Sequence, residues 1–147
     1  MTKEVWIAVK GLQDEPQTGE EVQEIIVAGE YYFRKGRHFV IYDEIMEGMT
    51  ESSHNIIRFR QDYMELTRKG PYGTHMVFEK EKQNVTYYDT PFGSLTIGVN
   101  GKKIHVWEEE SKIEVDVEYE LDMNYEKVAD CRIQIKISPR KQKDFTL

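Results

Sequence analysis

The feature that most constrains this chain is a strict two-residue alternation near its C-terminal end. Over residues 112–122, apolar side chains at every second position alternate with Glu or Asp. Successive side chains of a β-strand point to opposite faces, so this period predicts a strand with one apolar and one acidic face. Residues 131–138 repeat the pattern, with Arg132 and Lys136 on the polar face. Antiparallel pairing of the two segments would set these cations among the acids and favour one register.

The rest of the chain consists of similar short runs separated by turn signals. Further strands are predicted over residues 5–9, 22–34, 37–47, 55–60, 63–69, 74–79, 84–90, 94–99 and 102–108. Lys35-Gly36 and Asn100-Gly101 are predicted as hairpin turns, the second of type I′ because both residues tolerate positive φ. Gly29 indicates a bulge or a bend within a long strand. Residues 123–127 are expected to form a loop with room for one helical turn.

These strands predict an all-β fold, an antiparallel meander of about 8–10 strands. The 147 residues suit one domain spanning 1–147, and β-branched residues with 12% aromatics fit half-buried sheet surfaces. Short connections make consecutive strands neighbours. A meander of this length leaves two exposed edges unless it closes, so we expect a β-barrel rather than a sandwich.

Charge and composition exclude several classes of protein. A net charge of −7 argues against nucleic-acid binding, which needs a basic surface. No run approaches the roughly 18 apolar residues of a membrane span. The charged start of the chain is unlike a signal peptide, and Cys131 has no second cysteine with which to form a disulfide. We therefore expect a cytoplasmic protein with no membrane partner.

Four short motifs in order carry a resemblance to a known family. They are Gly29-Glu30-Tyr31, Val40-Ile41-Tyr42-Asp43-Glu44, Thr67-Arg68-Lys69-Gly70 and Tyr88-Asp89-Thr90-Pro91-Phe92-Gly93. With these four motifs in this order, the chain resembles the YwiB-like (DUF1934) family of small bacterial proteins. The resemblance implies a calycin-type barrel, like that of lipocalins and fatty-acid-binding proteins, and no established activity. The polar residues 11–20 lack the helical pattern of the lid of fatty-acid-binding proteins.

Charged residues on largely apolar strand faces are the candidate binding site. Glu44, Arg58 and Arg68 share faces with apolar neighbours, and burying such charges is costly unless they are paired or meet a ligand. One hypothesis places them, with Tyr42 and Tyr88, in the barrel mouth, where arginine would hold a carboxylate or phosphate. The alternatives are a structural ion pair, outward-facing charges, and aromatic rings that simply fill the core.

Three classes of function remain open from the sequence. The first is a barrel that binds a small anionic or amphipathic molecule. The second is a protein-interaction or structural module, a homodimer or a docking face such as the acidic strand 112–122. An enzyme ranks third, because no nucleophile–base pair is visible and the four histidines lack metal-ligand spacing. No catalytic residue, metal or cofactor is predicted, and the oligomeric state is a monomer or a homodimer.

Overall fold

The computed structural model describes residues 2–15, 19–45, 51–70, 73–90 and 93–140. Within them the chain forms ten β-strands. The strands are β1 (Glu4–Glu15), β2 (Gly19–Arg34), β3 (Arg37–Ile45), β4 (Ser52–Arg60), β5 (Tyr63–Lys69), β6 (Thr74–Glu79), β7 (Gln83–Thr90), β8 (Gly93–Glu109), β9 (Lys112–Met123) and β10 (Glu126–Pro139). The described residues contain no helix, and therefore no helix long and apolar enough to cross a membrane. The predicted all-β fold is confirmed.

The strands form one antiparallel sheet that curls into a nearly closed barrel. Their order is β6-β5-β4-β3-β2-β1-β10-β9-β8-β7, so the first and last strands pair at its centre. The two edge strands, β6 and β7, are joined by a short turn and lie side by side where the barrel closes. This junction between β6 and β7, with the turn that joins them, is called the seam. There the Thr86 hydroxyl donates a hydrogen bond to the His75 carbonyl at 3.1 Å. Closure therefore rests on side-chain and turn contacts rather than on a continuous ladder.

The predicted pairing of the last two strands is confirmed. Arg132 lies opposite Glu118, and Lys136 lies opposite Glu114, as the alternation required. Arg132 forms a bidentate ion pair with Asp116, with Nε–Oδ1 and Nη2–Oδ2 distances of 2.9 and 2.6 Å. This pair covers Asp116, which is only 7% exposed, so the acidic face is not uniformly solvated.

The predicted hairpin at Asn100-Gly101 was wrong, because β8 runs through both residues without turning. Gly101 is needed for a different reason. A Cβ on it would lie 2.1 Å from the backbone oxygen of Glu79. The turn after β6 sits directly on this point, where Glu81 N donates to Gly101 O and Gly101 N donates to Lys82 O. The glycine thus allows the seam to close, and β8 carries a bulge just after it.

The tight hairpin turns lie at other positions. Lys35 and Gly36 both have positive φ, so the predicted turn there is confirmed. Asn124 and Tyr125 have φ values of 49° and 68° and link β9 directly to β10. The expected loop with a helical turn over residues 123–127 was therefore wrong, since positive φ at two central residues makes a two-residue β-turn instead.

The interior differs between the two ends of the barrel. At one end, the base, inward side chains from all around the wall are fully buried and fill the space. They include Val5, Ile7, Val40, Phe59, Met64, Phe78, Val117 and Ile137. The other end of the barrel is the mouth. On the same inward faces, Val9, Tyr42 and Leu66 lie toward this end. There the packing is incomplete, and the barrel is hollow.

Candidate functional site

The hollow end contains a cavity of about 410 Å³. This volume lies within the range of about 300–1,000 Å³ that is typical of small-molecule sites. Most of its wall is apolar and comes from strands all around the barrel: Ile25, Ile57, Leu66, Met76, Leu121 and Ile133. Gly11 also faces this space, and a Cβ placed on it would meet no atom within 4 Å. The cavity is thus a preformed, mainly apolar chamber.

The wall opens beside the cavity because β2 and β3 separate. Their ladder runs only from Arg34↔Arg37 to Glu30↔Ile41. On the N-terminal side of Glu30, β2 pairs with no described strand other than β1, while β3 continues to pair with β4. Gly29 marks the point of separation, since a Cβ there would lie 2.7 Å from the Ile41 carbonyl oxygen. The register between β1 and β2 runs through Gly29 without the predicted bulge, and the glycine instead lies where the β2–β3 ladder ends.

Two charged side chains project into the cavity at this opening. Glu44 of β3 and Arg68 of β5 lie on neighbouring inward faces, with Glu44 Oε1 3.7 Å from Arg68 Nη2. Their side chains are only 19% and 30% exposed. The separation is that of an ion pair, and it is longer than a hydrogen bond. Among the described residues, no donor reaches Oε1 of Glu44, which is itself buried.

Asn55 of β4 fixes the guanidinium between the two charged strands. Its Oδ1 accepts a hydrogen bond from Arg68 Nε at 3.1 Å. Its Nδ2 donates to the Tyr42 carbonyl at 3.4 Å and to the Ser53 hydroxyl at 3.2 Å. Asn55 is 3% exposed, so it is a structural amide held in one orientation by its neighbours. Arg68 is therefore positioned before any ligand arrives.

Two tyrosines line the cavity as neutral hydroxyls. Burial, strengthened by the negative charge of Glu44, raises the pKa of Tyr42 to about 12. Burial raises the pKa of Tyr119 even further, and the Cys131 thiol beside it adds to the effect. Both hydroxyls therefore stay protonated to a higher pH than that of an exposed tyrosine.

The structure brings together three of the five residues proposed from the sequence. Tyr42, Glu44 and Arg68 all line the cavity. Arg58 points to the outer face, because Ile57 takes the inward position on β4, and it forms an ion pair with Glu65 of β5. The side chain of Tyr88 lies outside the described residues.

Arg58 belongs to a structural cluster on the outside of the barrel. Glu65 also accepts a hydrogen bond from the Tyr63 hydroxyl at 3.0 Å and contacts His75 Nε2 at 3.1 Å. Burial would raise the pKa of Glu65, but the hydrogen bonds from His75, Arg58 and Tyr63 outweigh it and hold that pKa below its usual value. Both oxygens of the Glu65 carboxylate have partners, which is consistent with a structural role in linking β4, β5 and β6.

A second buried polar cluster closes the base of the barrel. His38 of β3 is 6% exposed and stacks on Phe59, with ring centroids 4.7 Å apart. Its Nε2 contacts Glu108 of β8, and its Nδ1 lies 2.7 Å from the Tyr31 hydroxyl. With Nε2–H donated to the carboxylate, Nδ1 accepts from the tyrosine. This cluster was not predictable from local sequence patterns, since Glu108 is distant in the chain from Tyr31 and His38.

The described residues offer no arrangement for metal binding. Among them, no group of three or more His, Cys, Asp and Glu side chains is placed to hold an ion. The chemistry of the cavity is therefore that of an apolar wall, one ion pair and tyrosine hydroxyls.

Comparison with known proteins agrees with this architecture. Residues 7–135 match a family described as "Domain of unknown function (DUF1934)". The chain belongs to this family. A protein of similar fold is the ywiB protein from Bacillus subtilis, whose crystal structure superposes with a TM-score of 0.79 at 19% identity, covering 95% of this chain and 93% of that one. A comparison with curated proteins finds no match. The family thus supports the fold and supplies no activity.

Proposed function

We propose that this barrel binds a small amphipathic molecule in its hollow end. The observation that carries the proposal is a preformed apolar cavity of about 410 Å³ with a charged pair at its opening. Empty apolar space of this size forgoes packing contacts that the base of the same barrel makes fully. A ligand with an apolar body and a polar end would restore those contacts and meet Glu44 and Arg68.

Native mass spectrometry of the protein purified from its own host tests this proposal. We expect a bound small molecule that is released on denaturation. The variant Gly11→Leu should abolish it, because the new side chain enters space that is empty around Gly11. Strand propensity rises when glycine is replaced, so this variant should also fold at least as stably as the native chain.

Ala28→Leu is the matched control, because Ala28 is exposed on the outer face of β2. It introduces the same side chain without entering the cavity and should retain the bound molecule. Retention of the molecule in Gly11→Leu would place the ligand outside the cavity and refute the proposal. A native chain that carries no molecule, and that takes up none of 1-octanol, octanoate and octylammonium, would refute it as well.

A second candidate function is self-association through the outer face of β1 and β2. Trp6 and Ile26 are 38% and 66% exposed there, and the strand register sets Ala8 beside Ile26 and Ala28 beside Trp6. A contiguous apolar surface of this kind is typical of protein interfaces. If it forms a homodimer, Ile26→Glu should give monomers in sedimentation velocity. Ile45→Glu, which changes an equally exposed residue on β3, should not.

A further inference from the structure

The polar end of the cavity contains an unsatisfied acceptor. Oε1 of Glu44 is buried and receives no hydrogen bond from the described residues. Buried polar atoms of proteins are nearly always paired, and leaving one unpaired costs about 1–3 kcal/mol. Arg68 does not fill this role, because its nearest nitrogen lies 3.7 Å away and its Nε is donated to Asn55. The missing partner is a hydrogen-bond donor placed inside the cavity.

The charges around this acceptor are balanced. Among the described residues that line the cavity, Glu44 and Arg68 carry opposite charges, and the third charged residue, Arg132, is ion-paired with Asp116. An anionic head group would be attracted by Arg68 and repelled by Glu44, while a cationic one would meet the reverse. Either ion would also lose its hydration on entering an apolar chamber, which is costly without a full counter-charge.

We infer that the ligand bound in the cavity has an uncharged polar head that donates a hydrogen bond to Oε1 of Glu44. This inference rests on the proposed function. A hydroxyl group has the required chemistry, since its hydrogen reaches the carboxylate while its lone pairs face the guanidinium. A primary carboxamide meets the same requirement. The ligand class is therefore that of medium-chain alcohols or amides rather than fatty acids or alkylamines.

Three probes with one alkyl chain and different heads test the inference at neutral pH: 1-octanol, octanoate and octylammonium. Isothermal titration calorimetry with the native protein should show 1-octanol binding at least about tenfold more tightly than either ion. Glu44→Gln removes the negative charge that repels an anionic head, so the preference of this variant should move toward octanoate. Arg68→Gln leaves the charge of Glu44 unbalanced and should move the preference toward octylammonium.

Neighbouring exposed residues give matched controls. Asp43→Asn and Lys69→Gln change the net charge by the same amounts at outward positions next to Glu44 and Arg68, and they should keep the native preference for 1-octanol. If octanoate or octylammonium binds the native protein as tightly as 1-octanol, the inference is overturned while ligand binding stands. That comparison needs no variant. If none of the three probes binds in a manner that Gly11→Leu blocks, the inference is also overturned, and ligand binding in the cavity is overturned with it when native mass spectrometry finds no bound molecule either.

Discussion

Replacing Gly101 by alanine should open the seam of the barrel. The added methyl group would lie 2.1 Å from the Glu79 carbonyl oxygen and 2.8 Å from its carbon. Both contacts are with backbone, so no side chain can rotate away to relieve them. The turn between β6 and β7 must therefore move away from β8 by about 1 Å to reach an ordinary contact distance.

The expected destabilisation follows from what this movement breaks. Two backbone hydrogen bonds hold the turn to Gly101, with N–O distances of 2.8 and 3.0 Å. Each contributes about 0.5–1.5 kcal/mol, and the steric overlap adds about 1–3 kcal/mol. Gly101→Ala should thus lower the free energy of unfolding by about 2–6 kcal/mol. For a domain of this size, this corresponds to a fall in Tm of about 6–18 °C.

Gly11→Ala is the control, because the same chemical change there meets open space. It should leave stability unchanged or raise it by about 0.5–1 kcal/mol, since alanine loses less backbone entropy in a strand. Thermal and urea denaturation followed by circular dichroism would measure both variants. If Gly101→Ala melts within 1–2 °C (about 0.5 kcal/mol) of the native protein, the contact between Gly101 and the turn after β6 does not hold the seam closed.

Two further predictions concern polar groups elsewhere in the barrel. The hydrogen bonds from Arg132 hold the pKa of Asp116 below its usual value, so this pair stabilises the fold above the unfolded-state pKa of about 4 and ceases to do so as pH falls through the lower folded-state pKa. The difference in unfolding free energy between the native protein and Asp116→Asn should therefore shrink below about pH 4 in urea titrations; a difference that does not vary with pH would contradict this. At the base, His38→Phe keeps the stacking on Phe59 but leaves Tyr31 and Glu108 without their histidine partner, so it should lower the free energy of unfolding by about 1–3 kcal/mol. His38→Ala also leaves a cavity in the core and should lower it by about 3–5 kcal/mol. Equal melting temperatures for the two variants would show that the ring contributes no packing.

The sequence predicted those strands whose two faces differ clearly. In β9 every second residue is acidic, so both the inward face and the register with β10 follow from local alternation and charge. Asn100-Gly101 misled because its turn propensity is a local signal. The role of Gly101 arises from Glu79, a residue of another strand that reaches it only in the closed barrel.

The site was predictable only in part for a similar reason. In β3 both faces contain apolar residues, so the sequence did not show whether Glu44 or Ile41 points inward. In the structure Val40 and Tyr42 are buried in the core, so Glu44, which shares their face of β3, points inward. Arg58 and Arg68 were both charged residues on largely apolar strand faces. The side chain of Arg58 nevertheless points outward, because Ile57 and Phe59 occupy the inward positions of β4.

The pairing of β1 with β10 also bears on how the protein is made. Val5 pairs with Pro139, so almost the whole chain separates two adjacent strands. During synthesis, β1 to β6 can assemble as a curved sheet as they leave the ribosome, with the outer edge of β1 bare. That edge is covered only after β10 has been translated, so the barrel becomes a complete folding unit late, and pairing at such long range is slow to form. An unfinished chain exposes a strand edge that invites pairing with other chains, and a chaperone at the exit tunnel would have the most to protect at that stage.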